Sequence, residues 1–130
     1  MYFLDTNTLI YFFKGIGNVA EILFSKSPND ISIPSIALYE LEVGIAKSTN
    51  SAKRRNQLEL LTSRINISSF AVKEAEVAAI IRADLESRGT PIGPCDTLIA
   101  GIALANSGIL VTHNTKEFSR VNQLNIEDWY

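Results

Sequence analysis

The sequence has 130 residues and a net charge of −2 at pH 7, with 46% apolar and 20% charged residues. These values exclude a disordered chain and argue against a protein that coats nucleic acid non-specifically. The length predicts one domain, residues 1–130, with a core of its own.

The location of the protein is indicated by what its sequence lacks. Cys95 is the single cysteine, so there is no internal disulfide framework and a reducing compartment is expected. No secretory signal is evident, and the longest apolar runs are far shorter than a membrane span. The sequence therefore predicts a cytoplasmic protein with no membrane partner.

The chain opens with a short apolar run, residues 2–4, that ends on Asp5 and leads directly into an apolar-periodic segment. This pattern predicts a buried strand and then a helix over Thr8–Phe13 that stops at Lys14-Gly15. Asp5 would then lie at the carboxyl end of a strand, where open α/β sheets bind their ligands.

The rest of the chain alternates between short apolar strands and longer helical segments. Helices are predicted at 19–24, 36–46, 52–64, 72–85 and 95–106, and strands at 31–33, 65–67, 109–111 and 123–126. Two details are specific: Ser35 is expected to cap the helix whose apolar rows are Ile36, Tyr39, Val43 and Ala46, and Gly108 is expected to be the C′ residue of the helix before it. Strands separated by helices predict an α/β fold with a parallel sheet covered on both faces.

Three acidic residues stand out by their context. Asp5 ends a buried strand, Glu40 lies on a helix that follows a strand, and Asp96 interrupts the first turn of an apolar helix. Strand ends and the starts of the helices that follow them share one edge of a parallel sheet, but Asp96 precedes its strand. Structural roles are also open: Asp5 as a helix cap, Glu40 as a solvated side chain, and Asp96 as a complement to the helix dipole, worth about 0.3–1 kcal/mol.

The chemistry of a shared site follows if these carboxylates converge. Clustered carboxylates repel one another and need raised pKa values or a cation. Hard oxygen ligands favour Mg²⁺ or Mn²⁺ over Zn²⁺. Such an ion activates water and neutralises charge on a phosphodiester.

The residues around these acids resemble motifs of the PIN-domain ribonucleases, and specifically of the VapC toxins of prokaryotic toxin–antitoxin pairs. The matching segments are Leu4-Asp5-Thr6-Asn7, then Ser35 with Glu40-Leu41 and Gly44, then Pro91–Asp96 with Leu98-Ile99-Ala100, and finally Val111–Phe118 with Arg120-Val121 and Glu127-Asp128-Trp129. They are individually short but run through the chain in the family's order.

The resemblance implies a fold and an activity. The fold would be a PIN-like three-layer α/β/α arrangement with a central parallel sheet of four or five strands. The activity would be that of a toxin: an endoribonuclease dependent on Mg²⁺, or on Mn²⁺, that hydrolyses RNA phosphodiester bonds. The Asn114–Phe118 segment resembles the VapC branch that cuts initiator tRNA in the anticodon stem-loop. Implied partners are the RNA, a VapB-type antitoxin packed over an aromatic groove, and a second copy in a homodimer.

The resemblance also assigns the main site by motif position. Asp5, Glu40 and Asp96 would be the catalytic acids; Asp5 and Asp96 would bind the metal ion, and Glu40 would complete the set and orient the attacking water. A fourth acidic position follows the last core strand in many relatives. Here it corresponds to either Asn114 or Glu117, and both assignments stay open.

Supporting roles fall to residues near these acids. Asn7 and Thr112 are expected to position the ligands or the phosphate, and Lys116 and Arg120 are the candidates for contacts to substrate phosphates. His113 is the single histidine. A carboxylate–metal site needs no imidazole, so a polar, structural or RNA-contact role is expected for it.

Two other functions compete with the nuclease. Phosphohydrolases of the haloacid dehalogenase type also open with a strand that ends in Asp, but they need a second Asp two residues later, where this chain has Asn7. A degenerate PIN domain that only binds RNA or a partner is the second alternative. Degeneracy usually removes one of the three main acids, and all three are present.

Overall fold

The computed structural model describes residues 1–130 as five strands, seven α-helices and one 3₁₀ turn at Pro28–Asp30. The strands are β1 (Tyr2–Leu4), β2 (Ile31–Pro34), β3 (Asn66–Ser68), β4 (Ile109–Val111) and β5 (Asn125–Glu127). The helices are α1 (Thr6–Lys14), α2 (Val19–Ser25), α3 (Ser35–Ala46), α4 (Ser51–Thr62), α5 (Val72–Ser87), α6 (Pro94–Ala105) and α7 (Thr115–Phe118). None of the helices combines the length and apolar character that a bilayer crossing requires.

The five strands form one parallel sheet in the order β3-β2-β1-β4-β5. In the centre, Phe3 of β1 lies opposite Ser32 of β2 and Leu110 of β4. This arrangement, flanked by helices, confirms the predicted α/β fold and its five-stranded parallel sheet. The first strand of the sequence is thus the central strand of the sheet.

The core lies against the two faces of the sheet. Strand residues on both faces are buried, as continuous apolar strands of parallel sheets require. The most deeply buried of them are Phe3, Leu4, Ile31, Ile33, Leu110 and Val111. Helix α6 is buried along most of its length, because its sequence is apolar on nearly every side. The carboxyl end of β1 is consequently held in position by its strand neighbours.

Helix α3 differs from the expectation in its cap. Ser35 is the first helical residue, Pro34 occupies the N-cap position, and no side chain caps the helix. The prediction that Ser35 caps α3 was wrong, because β2 runs into the helix without an intervening loop residue.

The buried face of α3 also differs. Ala37, Leu41 and Ile45 are the buried residues of the helix, whereas Tyr39 is 60% exposed. The predicted rows were therefore wrong. Since no loop separates β2 from α3, the end of the strand fixes the rotation of the helix, and the row that begins at the small Ala37 faces the sheet.

Gly108 has a different role from the predicted one. Ser107, with φ of 53°, is the residue in the left-handed conformation after α6. A Cβ atom at Gly108 would instead collide with the ring of Phe3. Gly108 is thus explained by close packing of the chain against β1 rather than by helix termination.

Candidate active site

Asp5 is both a helix cap and a member of an acidic cluster. Its backbone N–H continues the sheet by donating to the oxygen of Val111 over 3.1 Å, and its carboxylate Oδ1 accepts the N–H of Thr8 at 2.9 Å. Burial raises the pKa of Asp5, hydrogen bonds from Thr112 and Thr8 oppose that rise, and the nearby charge of Glu40 adds to it. From the sequence, a helix cap and a site carboxylate were alternative roles for Asp5. In the structure Asp5 caps α1 and also lies near the charge of Glu40.

Glu40 reaches the same edge from α3. The Thr6 hydroxyl donates a 2.6 Å hydrogen bond to Glu40 Oε1 and so links the first turn of α1 to α3. Asn7, which the sequence predicts to position the ligands or the phosphate, is exposed. Sequence reasoning missed Thr6, although its hydroxyl directly follows Asp5 in the opening motif.

Asp96 completes the convergence from the first turn of α6. Burial, together with the negative charges of Asp5, Glu40 and Glu117, raises the pKa of Asp96 to about 6. A helix that leads into a parallel strand runs back from the carboxyl edge to the amino edge of the sheet. The first turn of α6 therefore lies at the carboxyl edge, so the apparent exception in the sequence obeys the topology.

The fourth position is shared by the two candidate residues. The Asn114 amide donates to Glu117 Oε2 over 3.0 Å, and the Asn114 backbone N–H donates to the Thr112 hydroxyl over 3.0 Å. Glu117 supplies the charge that acts on Asp96. Asn114 thus holds the carboxylate of Glu117, while Thr112 joins this segment to Asp5. The two candidates for the fourth position are therefore in direct contact with each other.

The two basic candidates lie in different surroundings. Lys116 is exposed at the start of α7. The Arg120 guanidinium donates to the carbonyl of Pro91 over 3.3 Å, and the backbone oxygen of Arg120 accepts a 2.7 Å hydrogen bond from Arg88. Arg120 thus contacts the loop that precedes α6 and Asp96, and both residues stay candidates for contacts to substrate phosphates.

A cavity of about 300 Å³ adjoins Glu40 on the side of β2, between α1, α3 and α4. Lys14 and Arg54 line it together with apolar side chains such as Phe13 and Leu41. Arg54 is held there by a 3.0 Å hydrogen bond to the Ser48 hydroxyl. Positive side chains therefore lie next to the acidic cluster on one side.

The donor chemistry of the cluster fits a hard divalent cation. Its charged donors are the carboxylates of Asp5, Glu40, Asp96 and Glu117. Burial, with the charges of Glu40 and Asp96 nearby, raises the pKa of the Cys95 thiol. No group of three or more His, Cys, Asp or Glu side chains is arranged so that it could hold a metal ion. The site therefore suits a divalent cation by the type of its donor atoms and by its negative charge, which a cation would neutralise.

Comparison with known proteins covers almost the whole chain. The family model described as the PIN domain matches residues 2–124. Ribonuclease VapC2 of Rickettsia felis is 37% identical over 99% of this chain and 98% of its own length. The tRNA(fMet)-specific endonuclease VapC of Shigella flexneri is 36% identical over 98% of this chain and 97% of its own.

A solved structure gives the same result for the fold. The crystal structure of VapBC2 from Rickettsia felis, bound to a DNA fragment from its promoter, contains a chain that superposes with a TM-score of 0.93 at 36% identity. The superposition covers 99% of this chain and 98% of the other. Sequence and fold therefore agree from end to end.

Proposed function

The chain belongs to the PIN-domain family and, within it, to the VapC ribonucleases, and on this premise we propose that it hydrolyses RNA as the toxin of a toxin–antitoxin pair. The proposed site is the surface around Asp5, Glu40, Asp96 and Glu117, which we call the acidic cleft. One observation carries the proposal most directly: the charges of Asp5, Glu40 and Glu117 reach Asp96 and add to the effect of burial in raising its pKa. Carboxylates that act on one another in this way repel, and a bound divalent cation would relieve that repulsion and attract a phosphodiester.

Metal dependence is general among PIN-domain nucleases. We assign Mg²⁺ to this site, with Mn²⁺ as a substitute, on the basis of the oxygen donors. Asp5 and Asp96 would hold the ion directly or through water, Glu40 and Glu117 would complete its surroundings, and Asn114 would position Glu117. When bound, the ion supplies charge neutralisation at the phosphodiester and lowers the pKa of water.

The protein's own residues then orient the reaction. Thr8 and Thr112 hold the Asp5 carboxylate through hydrogen bonds, so its lone pairs are fixed before substrate binds. Glu40, held by Thr6, orients the attacking water and accepts its proton. The water oxygen bonds to phosphorus and the 3′-oxygen leaves with a proton, which gives a 5′-phosphate and a 3′-hydroxyl.

The proposed substrate is the anticodon stem-loop of initiator tRNA. The relative from Shigella flexneri is named for tRNA(fMet), and the Asn114–Phe118 segment of this chain resembles that branch. Lys116 is exposed beside the cleft and would contact substrate phosphates. Such a substrate places the protein in the cytoplasm.

The proposed protein partners are a VapB-type antitoxin and a second copy of the chain. The solved relative is a VapBC complex. In this chain Phe24 is 73% exposed and its ring lies 5.8 Å from that of Phe12. This aromatic surface on α1 and α2 offers the antitoxin apolar area that the fold does not use.

A cleavage assay tests the proposed function. Purified protein with Mg²⁺ should cut an initiator-tRNA transcript in the anticodon stem-loop, leave an elongator tRNA intact, and lose activity in EDTA. Mapping of the ends should find a 5′-phosphate and a 3′-hydroxyl. Cleavage that persists in EDTA would refute the metal assignment, and RNA binding without any cleavage would favour the degenerate PIN domain.

Thr6→Val should lower kcat about tenfold, because it removes the hydroxyl that holds Glu40 while keeping the shape of the side chain. Thr6→Ser retains the donor and should recover most of the rate. Initial rates at saturating RNA measure both variants, and melting temperatures check that each one folds. Equal rates for Thr6→Val and wild type would show that Glu40 needs no support from Thr6.

A further inference from the structure

Three aromatic side chains form a stack beside the acidic cleft that the proposed mechanism does not use. The rings of His113 and Tyr130 lie nearly parallel, with centroids 4.1 Å apart and an angle of 20° between their planes. Tyr11 meets both edge-on, at 6.0 Å from His113 and 5.1 Å from Tyr130. Offset and edge-on contacts of this kind are the favoured geometries of aromatic groups.

The stack is held in place although it is exposed. Asp128 Oδ2 lies 3.0 Å from His113 Nδ1, and Asp128 Oδ1 accepts the backbone N–H of Tyr130 at 2.9 Å. Asn18 donates to the backbone oxygen of Tyr130 twice, over 3.0 Å from its backbone N–H and 3.2 Å from its side chain. The side chain of His113 is nevertheless 44% exposed, and Tyr130 is 46% exposed. These rings are preorganised and accessible.

The position of the stack relates it to the cleft. His113 directly follows Thr112, which hydrogen bonds to Asp5, and directly precedes Asn114, which holds Glu117. It therefore belongs to the β4 side of the cleft, whereas Glu40 and the basic cavity lie on the β2 side. A strand of RNA laid across the carboxylates from the basic cavity would run toward the stack.

We propose that the exposed face of the His113–Tyr130 stack receives one unstacked nucleobase of the RNA next to the scissile phosphate. The inference rests on the proposed function and names a base subsite for it. The chain has a net charge of −2 and a cleft of carboxylates, so phosphate contacts are opposed there. Stacking on an aromatic face does not depend on charge, and it is a common way for proteins to hold single-stranded bases.

Binding can be measured apart from cleavage in an Asp96→Asn background. The probe is a fluorescein-labelled initiator-tRNA anticodon stem-loop, intact or with a single abasic nucleotide at each position around the cut. We expect one abasic position to weaken binding about tenfold. His113→Leu should weaken binding of intact RNA to the same degree and remove the additional effect of that abasic position.

Matched variants separate stacking from folding. Tyr130→Phe keeps the aromatic face and should bind as the parent does, whereas Tyr130→Leu should behave like His113→Leu. Phe24→Leu alters an aromatic side chain that is 73% exposed on another surface and should have no effect on RNA binding. Melting temperatures within a few degrees of the parent confirm that each variant is folded.

The outcomes distinguish the two proposals. If wild-type protein cleaves no RNA but the abasic effect and its loss in His113→Leu are present, the proposed function fails and the base subsite stands. The base subsite is refuted if RNA is cut but both leucine variants bind the intact stem-loop like the parent. It is also refuted if the same abasic position still weakens binding to these variants about tenfold. Absence of any binding of the intact stem-loop also refutes it.

Discussion

Asp96→Asn is expected to abolish RNA cleavage, by about a thousandfold or more, and at the same time to raise the melting temperature of the metal-free protein. The activity falls because the substitution removes a charge that we propose binds the metal ion, while keeping the side-chain shape. The stability rises because burial, and after it the charges of three nearby carboxylates, raise the pKa of Asp96 to about 6 and so disfavour its charged form.

The size of the stabilisation follows from the pKa. A rise from 3.8 to about 6 would be worth roughly 3 kcal/mol if Asp96 were fully shielded from solvent. Solvent screening reduces this to about 1–2 kcal/mol. Loss of the favourable interaction with the N-terminus of α6, about 0.3–1 kcal/mol, offsets part of it. The net gain corresponds to a few degrees in melting temperature.

The sign of the pH dependence provides a sharper check. The pKa of Asp96 is higher in the folded state than in the unfolded state, so the folded protein binds more protons between pH 3.8 and about 6. Stability of the metal-free wild type should therefore fall as pH rises through this range. The advantage of Asp96→Asn should be near zero at pH 3.5 and largest above pH 6.

Thermal melts in EDTA from pH 3.5 to 7.5, together with the tRNA cleavage assay, measure both effects. Asp30→Asn is the matched control, because Asp30 is exposed in the 3₁₀ turn and should change neither property. A variant Asp96→Asn that melts below wild type at pH 7, or that cleaves at the wild-type rate, would contradict the assigned role of this carboxylate.

The second large effect concerns the contact between α5 and α6. Gly101→Ala should destabilise the protein by about 1–2 kcal/mol and Gly101→Val by about 3 kcal/mol. A Cβ atom at Gly101 would lie 2.6 Å from the Cβ and 3.0 Å from the Cα of Ala78. Because backbone cannot yield as a flexible side chain can, the helices must separate. That cost exceeds the gain of about 1 kcal/mol in helix propensity from replacing Gly by Ala.

Gly44→Ala is the matched control, since Gly44 also lies inside a helix but a Cβ atom there would have nothing within 4 Å. Only the propensity gain remains, so Gly44→Ala should stabilise the protein by about 0.5–1 kcal/mol. Urea unfolding of the three variants gives the free energies directly. Changes of the same sign at Gly44 and Gly101 would show that helix packing does not decide the outcome.

Local sequence patterns predicted the strands and their parallel arrangement, because each short apolar run has few other ways to bury both faces. They did not predict which side of α3 is buried. Tyr39 and Ala37 are both compatible with an apolar row, and only the direct junction after Pro34 determines which one faces the sheet. The rotation of α3 is determined by its junction with β2, and the spacing of apolar residues in the sequence does not reveal it.

For the site, too, some features could be predicted from the sequence and others could not. Asp5 could be recognised from the strand it ends, and the position of Asp96 follows once the direction of α6 is considered. The hydrogen bond from Thr6 to Glu40 spans 34 positions along the chain, and the contact between Asn114 and Glu117 depends on side-chain rotamers. Such contacts arise from tertiary packing, so residue spacing alone left the fourth position open.

The central position of β1 has a consequence for the protein during its own synthesis. Asp5 is translated early, but β1 has only β2 as an available neighbour until β4 has emerged, and β4 pairs with β1 along its whole length. Thr112, Asn114 and Glu117 follow β4 directly. A nascent chain therefore has Asp5, Glu40 and Asp96, three of its four carboxylates, before β4 takes its place beside β1. The proposed nuclease site is thus incomplete until the segment that follows β4 has been made.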